Sequence, residues 1–352
     1  MQALQELAPP QKPLQWLESL SPSNFAMVMA TGIMSFAFDL TGQARLAGGL
    51  FGLTLLAWAV LIGLSAWRLV KFPQAVKADL LAIRRVFAFF TLVAATNVLG
   101  LLLLHYGYLY AAVACWVMAF VAWCLLLYLS FSVLVFLTHE NSVNVVHGDW
   151  LTSIIGTHSL VLLGAGIAPH LGEYAGYMMI EIHLLWGLGL IFYALFVTLF
   201  CHRIFFMSFK PEDTSPLLWV IMGAAAIGAN AGTSLILADT PMPFLVATRP
   251  FIDGVSMLLW AWATWWIPML VIFGLWKHRV RHFPLRYETA LWSMVFPLGM
   301  YAAVSYRFGA AADFPPLTWI SGVMVWLAFV TWCLVLWGLL RSVVRPRAGD
   351  AR

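Results

Sequence analysis

Thr31, Thr96, Asn97, Thr157, His158, Ser159, Asn230, Thr233 and Ser293 all fall near the middle of strongly apolar stretches. With Gly32 beside them, they supply hydroxyl, amide and imidazole groups scattered through the chain rather than gathered in one motif. A bare polar side chain facing hydrocarbon is costly, so such groups are expected to face a cavity or a neighbouring helix. Hydroxyl and amide donors can replace part of an anion's hydration shell without trapping the ion. That chemistry suits passage of a solute better than bond making. No acid pair, nucleophile triad or phosphate loop points to hydrolysis, and no enzyme activity is expected. His139 and Glu140 do not begin an HExxH motif, because position 143 is Val. The other loop groups, His147 and Asp149 included, lack metal-ligand spacing. No metal and no cofactor are expected.

The elements that carry these residues must be membrane helices. Hydrophobic residues make up 62% of 352, charged residues only 10%, and mean hydropathy is +0.89. No soluble domain of this size hides so much apolar surface. A span needs roughly 20 apolar residues. Ten are expected: 22–40, 46–70, 84–104, 108–137, 150–169, 172–205, 216–238, 249–276, 287–308 and 315–340. The polar and small residues above lie on the odd-numbered spans; the even ones are almost uniformly apolar. This alternation predicts five helices lining a wet path and five shielding them from lipid. The alternative is that the small and polar residues only let helices pack closely.

The odd spans begin near residues 21, 84, 150, 216 and 287, a spacing of 63 to 71 residues. That period predicts an all-α membrane protein of five helical hairpins, all inserted the same way. Residues 21–341 form the ten-helix domain, with a tail at 1–20 and a basic tail at 342–352. The first tail lacks the features of a cleavable signal. Leu14, Trp16, Leu17 and Leu20 suit either a short interfacial helix or a disordered tail. With both termini cytoplasmic, sixteen of the nineteen Lys and Arg residues lie inside, leaving only Arg45, Arg249 and Arg307 outside. The positive-inside rule favours that orientation in a plasma (bacterial inner) membrane. The net charge of +4 follows from this bias and calls for no nucleic-acid partner. Arg84 and Arg85 inside, with Arg249 and Arg307 outside, either concentrate anions at the two mouths or snorkel to headgroups. Cys115, Cys124, Cys201 and Cys333 show no disulfide or metal pattern.

Span nine carries Phe296 directly before Pro297. The proline bends the helix at mid-membrane. A bulky ring at that bend either blocks the path as a steric and dewetting gate or is ordinary core packing.

Three segments carry a resemblance: Ser21-Pro-Ser-Asn-Phe-Ala-Met-Val-Met-Ala-Thr-Gly-Ile33, Trp219-Val-Ile-Met-Gly223 and Trp292-Ser-Met-Val-Phe-Pro297. In this order, on ten spans with the inside charge bias, they resemble the tellurite-resistance/C4-dicarboxylate transporter (TDT) family. That family takes in the bacterial TehA proteins, fungal malate and sulfite transporters and plant slow anion channels. The resemblance covers about residues 21–340. It implies a homotrimer in which each protomer has its own pore, made by the odd helices in a pseudo-fivefold arrangement. It also implies that Phe296 occludes that pore. The family's inner helices are often kinked by proline, whereas here only span nine has a mid-span proline. The substrate class implied is a small inorganic or organic anion.

Two other functions remain open. A proton-coupled carrier of dicarboxylate or sulfite would use His158, Glu181 or His183. A haem-binding redox subunit would need His105, His158, His183 and His202 at matched depth on facing helices.

Overall fold

The computed structural model describes residues 14–137, 148–206, 214–238 and 242–344. Lys12, His139, Glu140, His147, Lys210 and the tail from residue 345 lie outside the described residues. All regular structure among the described residues is helical. The helices are α1 Gln15–Glu18, α2 Phe25–Leu40, α3 Ala44–Lys71, α4 Pro73–Leu81, α5 Phe90–His105, α6 Leu109–Ser132, α7 Thr152–Ile167, α8 Ala175–Phe206, α9 Val220–Leu237, α10 Pro243–Leu275, α11 Trp292–Ala311 and α12 Pro315–Val344. α1 and α4 are short. The other ten correspond to the expected spans. Nine of these are long and apolar enough to cross a membrane. The tenth, α11, carries Ser293, Pro297, Ser305 and Arg307, and it packs between α9 and α2 rather than against lipid.

Short connections pair the ten helices into five hairpins: α2–α3, α5–α6, α7–α8, α9–α10 and α11–α12. The first helix of each hairpin packs on the first helix of the next. α2, α5, α7, α9 and α11 thereby close into a ring. Each outer helix packs on its own partner and on the inner helix of the following hairpin. Four inner spans are 67–94% buried, whereas five outer ones are only 22–33% buried. Lengths follow the same division. Inner helices run 16–20 residues and outer ones 24–33. At 1.5 Å per residue a 16-residue helix spans about 24 Å, short of a bilayer core of about 30 Å. Only a helix screened from lipid can end that early, because loose backbone at membrane depth must be covered by protein.

Each inner helix is extended at its N-terminus by one 3₁₀ turn: Pro22–Asn24, Val86–Phe89, Gly148–Leu151, Pro216–Trp219 and Thr289–Leu291. These five turns form a second closed ring at one end of the bundle. Thr91 Oγ1 lies 2.9 Å from the carbonyl of Pro22, and Thr152 Oγ1 lies 2.6 Å from that of Phe87. These hydroxyls tie one turn to the next.

Six tryptophans join the two layers. Each outer helix donates an indole N–H to the inner helix of the following hairpin, and α6 donates a second, from Trp116 to the Leu160 carbonyl (3.0 Å). Trp58 of α3 donates to Thr96 Oγ1 (3.0 Å), and Trp123 of α6 to Thr157 Oγ1 (2.8 Å). Trp186 of α8 donates to the Gly228 carbonyl (3.0 Å), and Trp260 of α10 to Ser305 Oγ (2.9 Å). Trp332 of α12 donates to Thr31 Oγ1 (3.0 Å) and so closes the circle from last hairpin to first. A lost hydrogen bond of this kind costs about 1 kcal/mol. Trp332→Phe is therefore expected to lower the unfolding temperature. A double-mutant cycle with Thr31→Val should show coupling between the two sites; additivity would refute the latch.

Candidate functional site

Helical geometry and the contacts above orient each inner helix. At about 100° per residue, positions two before and five after a given residue lie on the opposite side of the helix. Thr31, Thr96 and Thr157 point outward to the tryptophans of α12, α3 and α6. The residues opposite them are Met29 and Phe36 on α2, Ala94 and Leu101 on α5, and Ile155 and Leu162 on α7. On α9, Asn230 meets α11 and Gly228 meets α7 and α10. Ile227 and Ala231 occupy the sector between the first two of these contacts. The side of the wall facing the ring axis is therefore mainly apolar.

α11 is placed by contacts on every other side. Pro297 faces α9, Ser305 faces α10, Gly309 faces α12, and Gly299 faces Ile33 and Met34 of α2. The sector left over, flanked by α9 and α2, holds Phe296, Met300 and Arg307. These residues are separated by four and seven positions, and so share one face. Phe296 is fully buried at 0% exposure, so its ring sits inside the closed bundle. Pro297 supplies no N–H, which leaves the Ser293 carbonyl without its helical partner. The proline ring fills a notch at Gly223, where an added Cβ would lie 2.7 Å from Pro297 Cγ. Gly223→Ala is accordingly expected to cost about 1–3 kcal/mol through overpacking, read as lowered thermal stability of the purified protein. Gly223→Ala with unchanged stability would mean that α11 is free to move.

The groups expected to line a wet path have other partners. The Thr31, Thr96 and Thr157 hydroxyls accept from outer-helix indoles, contrary to the expectation that they face the interior. Gly32 is a packing contact, its Cα against Val98 of α5 and Thr54 of α3. Asn97 Nδ2 donates to Ser159 Oγ at 2.9 Å, which ties α5 to α7. Thr233 Oγ1 donates back to the Ala229 carbonyl of its own helix at 3.0 Å. The His158 ring is fully buried against Gly189 of α8 and Gly228 of α9. Ser293, 5% exposed, lies within one turn before the gate position. Much of the small-and-polar alternation thus serves close packing and latching.

The four expected mouth arginines differ. Arg84 is exposed. Arg85 Nη1 lies 2.6 Å from Asp79 Oδ1, so its charge is already matched. Arg249 Nη2 donates to the carbonyl of Ala238 at 3.0 Å and caps the C-terminal end of α9. A cation there also complements the helix dipole. Arg307 turns inward: its Nη1 donates to Asn230 Oδ1 at 2.8 Å and to Ser234 Oγ at 2.7 Å. Asn230 Nδ2 lies 3.3 Å from Met300 Sδ, one turn from Phe296. The pairing of Arg307 with Asn230 is not visible in the sequence, where the two lie 77 residues apart. Nor is the Trp latch, although its tryptophans recur near the middle of each even span.

The histidines do not converge. His105 Nε2 lies 3.2 Å from Asp39 Oδ2, and His183 Nδ1 lies 2.6 Å from the Met179 carbonyl of its own helix. The His202 ring lies tilted against Phe206, with centroids 5.5 Å apart. No group of three or more potential metal ligands occurs among the described residues.

Comparison with known proteins agrees with this architecture. Residues 19–340 match the family model SLAC1, described as voltage-dependent anion channel. An uncharacterized membrane protein of Mycobacterium tuberculosis is 40% identical over 142 residues, which is 40% of this chain and 71% of that protein. Two uncharacterized transporters of Methanocaldococcus jannaschii are each 25% identical. One alignment covers 92% of this chain and 93% of that protein, the other 95% and 97%. With a closed ring of five hairpins and a family match that spans nearly all of them, this chain is a multi-pass membrane protein of the SLAC1, voltage-dependent anion channel, family.

Proposed function

We propose that each protomer passes small anions along the axis of its five-helix ring and that Phe296 closes this path. The observation that carries the reading is the position of Phe296. It is fully buried on the sector of α11 that lies between its contacts with α9 and α2. An apolar wall with an aromatic ring across it excludes water and ions by dewetting until the ring moves. Charge selection then comes from the ends of the path. Five parallel helices present their N-terminal, positive dipole ends together at one face. Arg307 stands near the other end. In the orientation proposed here both termini are cytoplasmic, and Arg307 faces the outside. The largely apolar sides of the outer helices suit lipid and assembly into a homotrimer. Sulfite, malate and inorganic anions are all compatible with this path. Current through planar bilayers holding wild type or Phe296→Ala tests the proposal. Anion-selective current that grows in the variant supports it, and silence in both, from correctly assembled protein, defeats it.

A further inference from the structure

We propose that the guanidinium of Arg307, anchored by Asn230 and Ser234, is a binding station for a singly charged oxyanion on the axial path. The inference rests on the axial path proposed above. Arg307 shares the axis-facing side of α11 with Phe296 and Met300. Its side chain reaches back to Asn230, which also touches Met300. Met300 is one turn, or about 6 Å, from Phe296 along the helix. The charge is therefore drawn from the end of α11 back toward the level of Met300.

The partners of Arg307 are neutral. Asn230 is 0% exposed and Ser234 is 4% exposed, so both are fixed parts of the wall. Among the described residues the ion pairs are Arg68–Asp79, Arg85–Asp79 and His105–Asp39, and none involves Arg307. A cation drawn inward without a carboxylate leaves its desolvation uncompensated. Both Nη1 hydrogens are taken by Asn230 and Ser234. Nε and Nη2 make no hydrogen bond within the described residues, so that edge of the guanidinium is open. It presents two parallel N–H donors, the arrangement that pairs with two oxygens of a planar oxyanion. One guanidinium matches one negative charge. The station is thus expected to prefer nitrate or a small monocarboxylate to chloride, which can use only one point of contact at a time.

The test uses the full chain in bilayers, with Phe296→Ala as background. Adding Arg307→Gln should raise the half-saturating nitrate concentration roughly tenfold, the change that about 1.4 kcal/mol produces. It should also lower the anion-to-cation permeability ratio. Arg307→Lys should keep that ratio but lose the preference for nitrate over chloride. Asn230→Asp places a carboxylate against Arg307 Nη1 and should mimic Arg307→Gln while preserving the fold. Unchanged half-saturation and selectivity in Arg307→Gln, with Phe296→Ala still conducting, would overturn the station and leave the axial path standing. If Phe296→Ala carries no anion current, the path itself fails. The station is then decided by heat unfolding of purified protein in nitrate. Nitrate stabilisation present in wild type and lost in Arg307→Gln upholds it; equal stabilisation in both, or none in either, rejects it.

Discussion

Phe296→Ala is expected to raise anion current by roughly an order of magnitude or more, since each ~1.4 kcal/mol removed from a barrier is worth tenfold in rate. The ring is the largest side chain on the axis-facing sector of α11. Of the inward positions on the other helices, Ala94, Ile155, Ile227 and Ala231 are smaller and equally buried, and the one other ring, Phe36 on α2, is less buried than Phe296. Alanine at 296 therefore leaves an apolar passage without its most deeply buried ring. The residual barrier is dewetting of the remaining wall, which a wider passage reduces. Phe296→Leu should lie between wild type and alanine. The truncation also removes packing and, in a well-packed site, costs about 3–5 kcal/mol. Size-exclusion profile and unfolding temperature must accompany the currents. An intact Phe296→Ala protein with wild-type current would mean that another constriction closes the path.

Asp79→Ala is expected to be the most destabilising single change at the N-terminal end of the inner ring, by about 3–5 kcal/mol. Asp79 Oδ2 lies 2.7 Å from Arg68 Nη2, and both side chains are nearly buried, at 5% and 6% exposure. Arg68 also donates to the carbonyl of Glu18 through Nε at 3.0 Å and Nη2 at 2.9 Å. One carboxylate thus holds α4, the end of α3, the end of α1 through Arg68 and the approach to α5 through Arg85. Removing it leaves the Arg68 charge buried and unpaired. The exposed Arg85 end contributes far less, because solvent screens that pair. Thermal unfolding should show a large drop for Asp79→Ala and a small one for Arg85→Ala. Equal, small drops would mean that water reaches Arg68 freely. The short helix Gln15–Glu18 is docked by this cluster and by Trp16 against Trp67. Residues 15–18 are thus helical and held against the bundle.

The layer division was legible in the sequence because lipid imposes it. An outer helix must be apolar over its whole exposed length, while an inner helix is free to carry glycine, hydroxyl and amide groups. That difference survives in composition, and it marks which five helices form the ring. The regular 63–71-residue spacing likewise marks the hairpins, since each must cross the membrane and return. Pro297 and the adjacent Phe296 stand out for the same reason: they break the pattern of their span.

Rotation about each helix axis was not legible. A run of small and polar residues is compatible with any facing, and a one-residue step turns a side chain by about 100°. Thr31, Thr96 and Thr157 could serve a pore or a neighbour equally well until Trp332, Trp58 and Trp123 were seen to claim them. Those partners lie 301, 38 and 34 residues away, beyond any local pattern. Arg307 shows the same limit. Its sequence position at the end of a span places it at a mouth, and only the approach of α9 turns it to Asn230 and Ser234. The alternation of composition between spans and their regular spacing are thus enough to set which helices are inside and how they are paired. Which side chains meet the axis depends on contacts between distant hairpins, and only the closed ring decides them.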